Sequence, residues 1–125
     1  MQRDNTAPIG ALQALSEELA GAVDRASRGV VAVHGRPRIG SSGILWSPDV
    51  VVTASHTLKR DDDLSVTLAD GRRVAATLAG RDAGTDIAVL RLAEQSGPAV
   101  SVADDAAVRI GQLVLAVGRT GDDGP

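Results

Sequence analysis

Two residues stand where their side chains could do acid–base chemistry together. His56 follows the run Val50-Val51-Val52-Thr53-Ala54-Ser55, and Asp86 opens the apolar run Ile87-Ala88-Val89-Leu90. Histidine as a residue type titrates near pH 6.5, so at neutral pH it is mostly an unprotonated base that can take a hydroxyl proton. A carboxylate beside it can orient the ring, fix its tautomer and stabilise the imidazolium as it forms. Taken singly, each residue has a plainer reading. A strand-end histidine is more often a satisfied structural or surface residue, and an acid that opens a strand is more often a turn residue or the cap of a bend. Thr53 and Ala54 are small enough to let a loop fold tightly against a sheet and hold an imidazole at its rim. The two residues lie thirty positions apart, which gives the chain room to form two or three strands and return to the same rim.

Other constellations offer less. Gly40-Ser41-Ser42-Gly43 looks superficially like a nucleophile loop, but the nucleophile elbow is Gly-x-Ser-x-Gly between a strand and a helix, and a further strand comes next here. Ser41 and Ser42 are therefore set aside as nucleophiles. Ser96 and Ser101 are the only serines after Asp86, in Glu94-Gln95-Ser96-Gly97-Pro98-Ala99-Val100-Ser101. His34 and His56 have no local spacing that would hold zinc. Asp61, Asp62 and Asp63 start like a calcium loop, yet Val66 stands where the loop needs glycine and Arg72 where it needs glutamate. These aspartates, like Asp122 and Asp123, read as solvated loop. With no cysteine there is no thiol nucleophile and no thiolate metal site. No metal and no cofactor is expected.

The elements that must position these residues are read from periodicity. Residues 1–8 are polar and read as a loose arm. Ile9, Leu12, Leu15, Leu19 and Val23 then recur at steps of three and four, with Glu17, Glu18, Asp24 and Arg25 between them, which predicts an amphipathic helix within 9–28, stopped at Gly29. Its apolar stripe is expected to pack on the rest of the domain. After Gly29 the helical period is gone. Short β-rich runs predict strands over Val30–His34, Gly43–Trp46, Val50–Ala54, Leu64–Leu68, Arg73–Ala79, Asp86–Leu92 and Leu113–Val117, with a weaker one at Ala99–Val102. Ser47-Pro48-Asp49 marks one turn and Asp70-Gly71 another. Short strands without alternating helices predict a mainly β fold, a barrel or sandwich. Its core must be aliphatic, because hydrophobic residues are 43% of the chain but Trp46 is the only aromatic.

A family resemblance carries further than periodicity. Ser41-Ser42-Gly43-Ile44-Leu45-Trp46-Ser47-Pro48-Asp49-Val50-Val51-Val52-Thr53-Ala54-Ser55-His56, the hairpin segment from Asp70-Gly71 through Asp82-Ala83-Gly84-Thr85-Asp86 to Leu90, and Val108 to Arg119 resemble successive segments of the trypsin-like serine proteases of the HtrA (DegP) family. Thr53-Ala54-x-His56 is the superfamily's histidine motif, and Asp82-x-x-Thr85-Asp86 before an apolar strand belongs to the HtrA-like branch. The resemblance implies two six-stranded barrels with the site between them, of which residues 29–119 would be the N-terminal barrel and 120–125 the start of a truncated inter-barrel loop. It also implies that His56 is the general base and Asp86 its orienting acid. The family's nucleophile lies in a Gly-x-Ser-Gly-Gly type loop of the second barrel. No such loop comes after Asp86, so the nucleophile, the oxyanion-hole amides and the substrate pocket are expected in the missing half.

The function this implies is a serine endopeptidase fragment, inactive alone, whose complete parent would cleave unfolded or damaged protein and could assemble as a homo-oligomer. The alternative is a non-catalytic β-barrel that binds protein, or a pseudo-protease. Nucleic acid is not expected as a partner: the net charge is −3, and the basic residues are scattered in pairs such as Arg36 with Arg38 and Arg72 with Arg73. The N-terminus has no basic segment followed by an apolar run, and no run is long enough to span a membrane, so the chain reads as cytoplasmic.

Overall fold

The computed structural model describes residues 10–119. The expected arm over 1–8, the loop over 120–125, Ile9, Asp122 and Asp123 lie outside the described residues. Helix α1 (Ala11–Ser27) is followed by six strands: β1 (Val30–His34), β2 (Ser41–Ser47), β3 (Val50–Ala54), β4 (Leu64–Thr67), β5 (Arg73–Asp82) and β6 (Ile87–Leu92). All neighbouring strands run antiparallel, and together they close a barrel in the order β1-β2-β3-β6-β5-β4, with β4 returning to pair with β1. The mainly β expectation holds, and the six strands from Val30 to Leu92 lie where the β-rich runs place them, within a few residues at each end.

The barrel forms because one face of every strand is aliphatic. Val31 and Val33 of β1, Leu45 of β2, Val51 of β3, Leu64 and Val66 of β4, Val74 and Ala76 of β5, and Ala88, Leu90 and Leu92 of β6 meet in the interior, joined by Leu58 and Leu68 from the connecting segments. Each fully buried Val or Leu contributes about 1.5–3 kcal/mol relative to exposure. The turns obey their residues. Pro48 and Asp49 join β2 to β3 with Ser47 opposite Val50, and the register slips past Trp46, which stands half-exposed in a bulge. Gly71 takes φ +89° in the β4–β5 turn, where Asp70 accepts the Arg72 backbone N–H at 3.0 Å and its side-chain Nε–H at 2.8 Å.

Three expectations are corrected. Leu113–Val117 and Ala99–Val102 are not strands. The closed barrel gives every strand two neighbours, so no edge remains for a seventh. The stretch after Leu92 instead runs outside the barrel: Val100 donates its backbone N–H to the Leu45 carbonyl at 2.8 Å, and the Arg119 guanidinium reaches the carbonyls of Val30 at 2.9 Å and Ser27 at 3.1 Å. Leu113 and Val114 stay exposed. The apolar stripe of α1 does not pack on the barrel either. No helix residue is fully buried, Leu12 is 81% exposed, and only the C-terminal end, through Ala22 and Ala26, shares a cleft with Val30, Val100, Leu115 and Val117. The short Arg28-Gly29 connection carries the helix off the end of β1 rather than across the sheet.

Gly43 is the tightest position inside β2. A Cβ there would lie 2.8 Å from Val51 Cγ1, 3.0 Å from Val33 Cγ2 and 3.1 Å from the Val52 carbonyl oxygen, whereas a Cβ at Gly80 of β5 meets nothing within 4 Å. Gly43→Ala is expected to destabilise the barrel by about 1–3 kcal/mol through overpacking, and Gly80→Ala to stay within about 1 kcal/mol of the parent. Urea denaturation of the two variants side by side checks this.

Candidate active site

The ladder between β3 and β6 sets Ala54 opposite Ile87. One step beyond, Ser55 donates its backbone N–H to the Asp86 carbonyl at 2.9 Å, so the pairing continues into the turns that hold His56 and Asp86. After Ala54 the chain makes a single 3₁₀ turn, Ser55–Thr57. Thr57 Oγ1 ties that turn to the Ala54 carbonyl at 2.8 Å and accepts from Ser41 Oγ at 3.1 Å. On the facing side, Asp82 organises the β5–β6 loop, accepting from the Gly84 backbone N–H at 3.1 Å and from Thr85 Oγ1 at 2.9 Å. Asp86 closes the loop in the left-handed region at φ +60°. Among non-glycine residues, aspartate is one of those that adopt this conformation most readily.

This geometry brings the two expected residues together. His56 Nδ1 lies 2.6 Å from Asp86 Oδ2, and the His56 backbone N–H donates to Oδ1 at 2.8 Å. The same carboxylate thus grips one residue at ring and backbone. These bonds hold the Asp86 carboxyl below the ordinary aspartate range, the ring contact first and the backbone N–H second. Ionised at neutral pH, Asp86 only accepts, so the proton in the short contact sits on Nδ1. In the neutral ring this tautomer places the acceptor lone pair on Nε2. The pair is open to water, with side-chain exposures of 68% for His56 and 46% for Asp86, and Nε2 has no hydrogen-bond partner among the described residues.

The serines weighed in the sequence go elsewhere. Ser42 Oγ donates to the Arg119 carbonyl at 3.0 Å and accepts its N–H at 2.8 Å, and Ser96 Oγ donates to the Pro48 carbonyl at 2.9 Å. His34 is not part of the site: its Nε2 is 2.8 Å from Thr67 Oγ1 on the β1–β4 seam. Asp61 is engaged by Arg81 at 2.9 Å. Arg81, not singled out in the sequence, also reaches Ser55 and Leu58 on either side of His56. An arginine at a strand end gives no periodic signal, and only the fold shows what it touches.

Residues 41–125 match the trypsin-like peptidase domain family. The chain belongs to that family. Over 83 residues it is 34% identical to a protein of Halomonas elongata named "Probable periplasmic serine endoprotease DegP-like", a match that covers 66% of this chain and 18% of that protein. Over 89 residues it is 42% identical to a protein of the same name from Brucella suis, covering 69% of this chain and 17% of the relative. The crystal structure of the serine endoprotease from Yersinia pestis superposes with a TM-score of 0.54 at 30% identity, over 68% of this chain and 30% of that one. The chain spans under a fifth of the length of the curated DegP-like relatives it matches. The cytoplasmic reading is overturned, because these relatives are named periplasmic.

A depressed aspartate sets the sign of the pH response. Between the folded and unfolded pKa values the unfolded chain binds the extra proton, so stability rises with pH across that window. The Asp86 contribution is complete above about pH 4 and is lost as pH falls through its lowered value. Asp82, lowered by Thr85 and the Gly84 N–H, acts in the same direction. Urea denaturation at pH 6, 4 and 3 is expected to show a shallower acid loss for Asp86→Asn than for the parent; equal slopes would mean that Asp86 titrates alike folded and unfolded.

Proposed function

We propose that this chain is the N-terminal barrel of a DegP-like serine endopeptidase acting outside the cytoplasm, with His56 as general base and Asp86 as its orienting acid. The observation that carries the reading is the two-point grip of Asp86 on His56, 2.6 Å at Nδ1 and 2.8 Å at the backbone N–H. It selects the tautomer that general-base catalysis needs. In the proposed reaction, Nε2 takes the proton of a serine hydroxyl as the serine oxygen attacks the peptide carbonyl. The imidazolium, stabilised by Asp86, returns that proton to the leaving amine. Water then hydrolyses the acyl-enzyme by the same route.

The serine belongs, on this reading, to chain outside these 125 residues. Two facts support that: the matched stretch is only 17–18% of its relatives, and no described serine is hydrogen-bonded to the His56 ring. The substrates of the complete protease are proteins, in keeping with the relatives' name as endoproteases, and on the family resemblance they are unfolded or damaged ones. A protein-binding barrel without catalysis is the second reading, favoured by the exposed Val108, Ile110, Leu113 and Val114.

The test compares this chain with its reading frame extended through the first Gly-x-Ser-Gly, on casein and with a serine-directed phosphonate inhibitor. The 125-residue chain is expected to be inert and the extended chain active. In the extended chain His56→Ala should lower kcat by about 10⁶-fold and Asp86→Asn by about 10⁴-fold. Inhibitor-sensitive hydrolysis by the short chain, or a frame that stops without such a serine, would overturn the proposal, and the latter would turn attention to the binding reading.

A further inference from the structure

The turn that carries His56 is too short to hold itself. Ser55–Thr57 is one turn of 3₁₀ helix, closed by a single backbone bond from the Leu58 N–H to the Ser55 carbonyl at 3.1 Å. It takes further partners from outside, and one side chain bonds the carbonyls of both Ser55 and Leu58. Arg81, near the end of β5 and opposite Ala88 of β6, sends its guanidinium beneath the turn. Nη2 donates to the Ser55 carbonyl at 2.6 Å and to the Leu58 carbonyl at 2.9 Å, and Nε donates to Ser55 Oγ at 3.0 Å. Nη1 donates to Asp61 Oδ1 at 2.9 Å, which fixes the far end of the fork. Ser55 and Leu58 bracket His56, so the guanidinium holds the backbone on both sides of the imidazole.

Asp86, five residues further along the same β5–β6 hairpin, holds the ring itself. One hairpin therefore grips His56 from two directions, the carboxylate at the side chain and the guanidinium at the turn. A surface ion pair such as Arg81 with Asp61 contributes little to stability alone. The three bonds to Ser55 and Leu58 do something more specific, because they set where the His56 Cα stands and at what angle its ring leaves the backbone. A lysine could keep the charge but not the planar fork that reaches several acceptors at once.

We propose that Arg81 is a positioning residue for His56, fixing the His56 turn so that the ring meets Asp86 and Nε2 faces the reacting hydroxyl. This rests on the reading of His56 as general base, and the experiment separates the two. In the 125-residue chain, ¹⁵N-edited NMR follows the His56 Nδ1–H proton and both ring nitrogens in the parent, Arg81→Ala, Arg81→Lys and Asp61→Asn, with the barrel amide spectrum as the folding control. In the serine-containing extended chain, kcat and KM are measured for the same variants.

Arg81→Ala is expected to keep the amide pattern of β1, β2 and β4, to lose the Nδ1–H resonance to exchange, and to bring the two ring nitrogens toward averaged tautomers. Its kcat should fall by about 10²-fold with KM unchanged, the size of loss that a misplacement of about 1 Å produces. Arg81→Lys should recover part of both signals, and Asp61→Asn should lose less than Arg81→Ala. A folded Arg81→Ala with the parent's ring signature and kcat would overturn the proposal. Where Arg81→Ala does not fold, parental ring signals and kcat in Arg81→Lys would overturn it equally. An extended parent that hydrolyses nothing would remove the catalytic reading of His56, while the ring signals would still decide whether Arg81 holds it.

Discussion

The antiparallel pairing of β3 with β6 is the constraint on which the rest of the structure depends. These strands are neighbours in space but not in sequence, separated by β4, β5 and their loops. Five rungs, from Val50 opposite Arg91 to Ala54 opposite Ile87, fix their register. A slip of one residue would turn Val51 and Leu90 out of the core and carry Asp86 away from His56 at the same time. The register that buries the aliphatic face is therefore the register that assembles the pair. Packing sets the geometry of the site, and the site's own bonds refine it.

Closure of the barrel has a second consequence. With β4 bonded back to β1, no open sheet edge remains for later chain to extend. The segment beyond Leu92 has to run over the outside, and it is fastened at scattered points: Ala93 N–H to the Ala75 carbonyl, Ser96 N–H to the Pro48 carbonyl, Val100 N–H to the Leu45 carbonyl and Arg119 to Ser42, Val30 and Ser27. Arg119 lies on this path beside the last turn of α1, where the Ser27 carbonyl accepts from its guanidinium. The outer segment thus links the helix, β1 and β2 without joining the sheet.

The barrel strands were legible because each is a short run rich in β-branched and aliphatic residues, and Pro48-Asp49 and Asp70-Gly71 stand where the chain reverses. Leu113–Val117 misled by the same logic. It has the composition of a strand, and strand formation there is decided by whether an edge is free, which is a property of the whole topology and not of the five residues. The α1 stripe misled for a related reason: periodicity shows that a helix has an apolar face but not what lies opposite it. His56 and Asp86 were legible as a pair only through their motifs, Thr53-Ala54-x-His56 and Asp82-x-x-Thr85-Asp86, since neither residue is distinctive alone. The structure gives these motif residues physical roles, with Thr53 Oγ1 bonded to the Ser42 carbonyl at 2.8 Å and Thr85 to Asp82. Arg81 stayed illegible because its partners, Ser55, Leu58 and Asp61, lie at least twenty positions away and share no pattern with it.

The exposure of the pair bears on why it is built so carefully. A histidine and an aspartate this open to water add little to stability, because solvent screens them. Stability alone would not require a left-handed aspartate, an Asx-stabilised loop behind it and an arginine under the facing turn. A general base does require such control, because proton transfer depends on the placement of one nitrogen lone pair. It also requires a drier setting than the barrel provides, since hydrogen-bond donors aimed at a developing charge act most strongly where water is excluded. The rim therefore carries half of what the proposed chemistry needs: orientation comes from β3, β5 and β6, and enclosure must come from whatever covers the His56 side of the barrel.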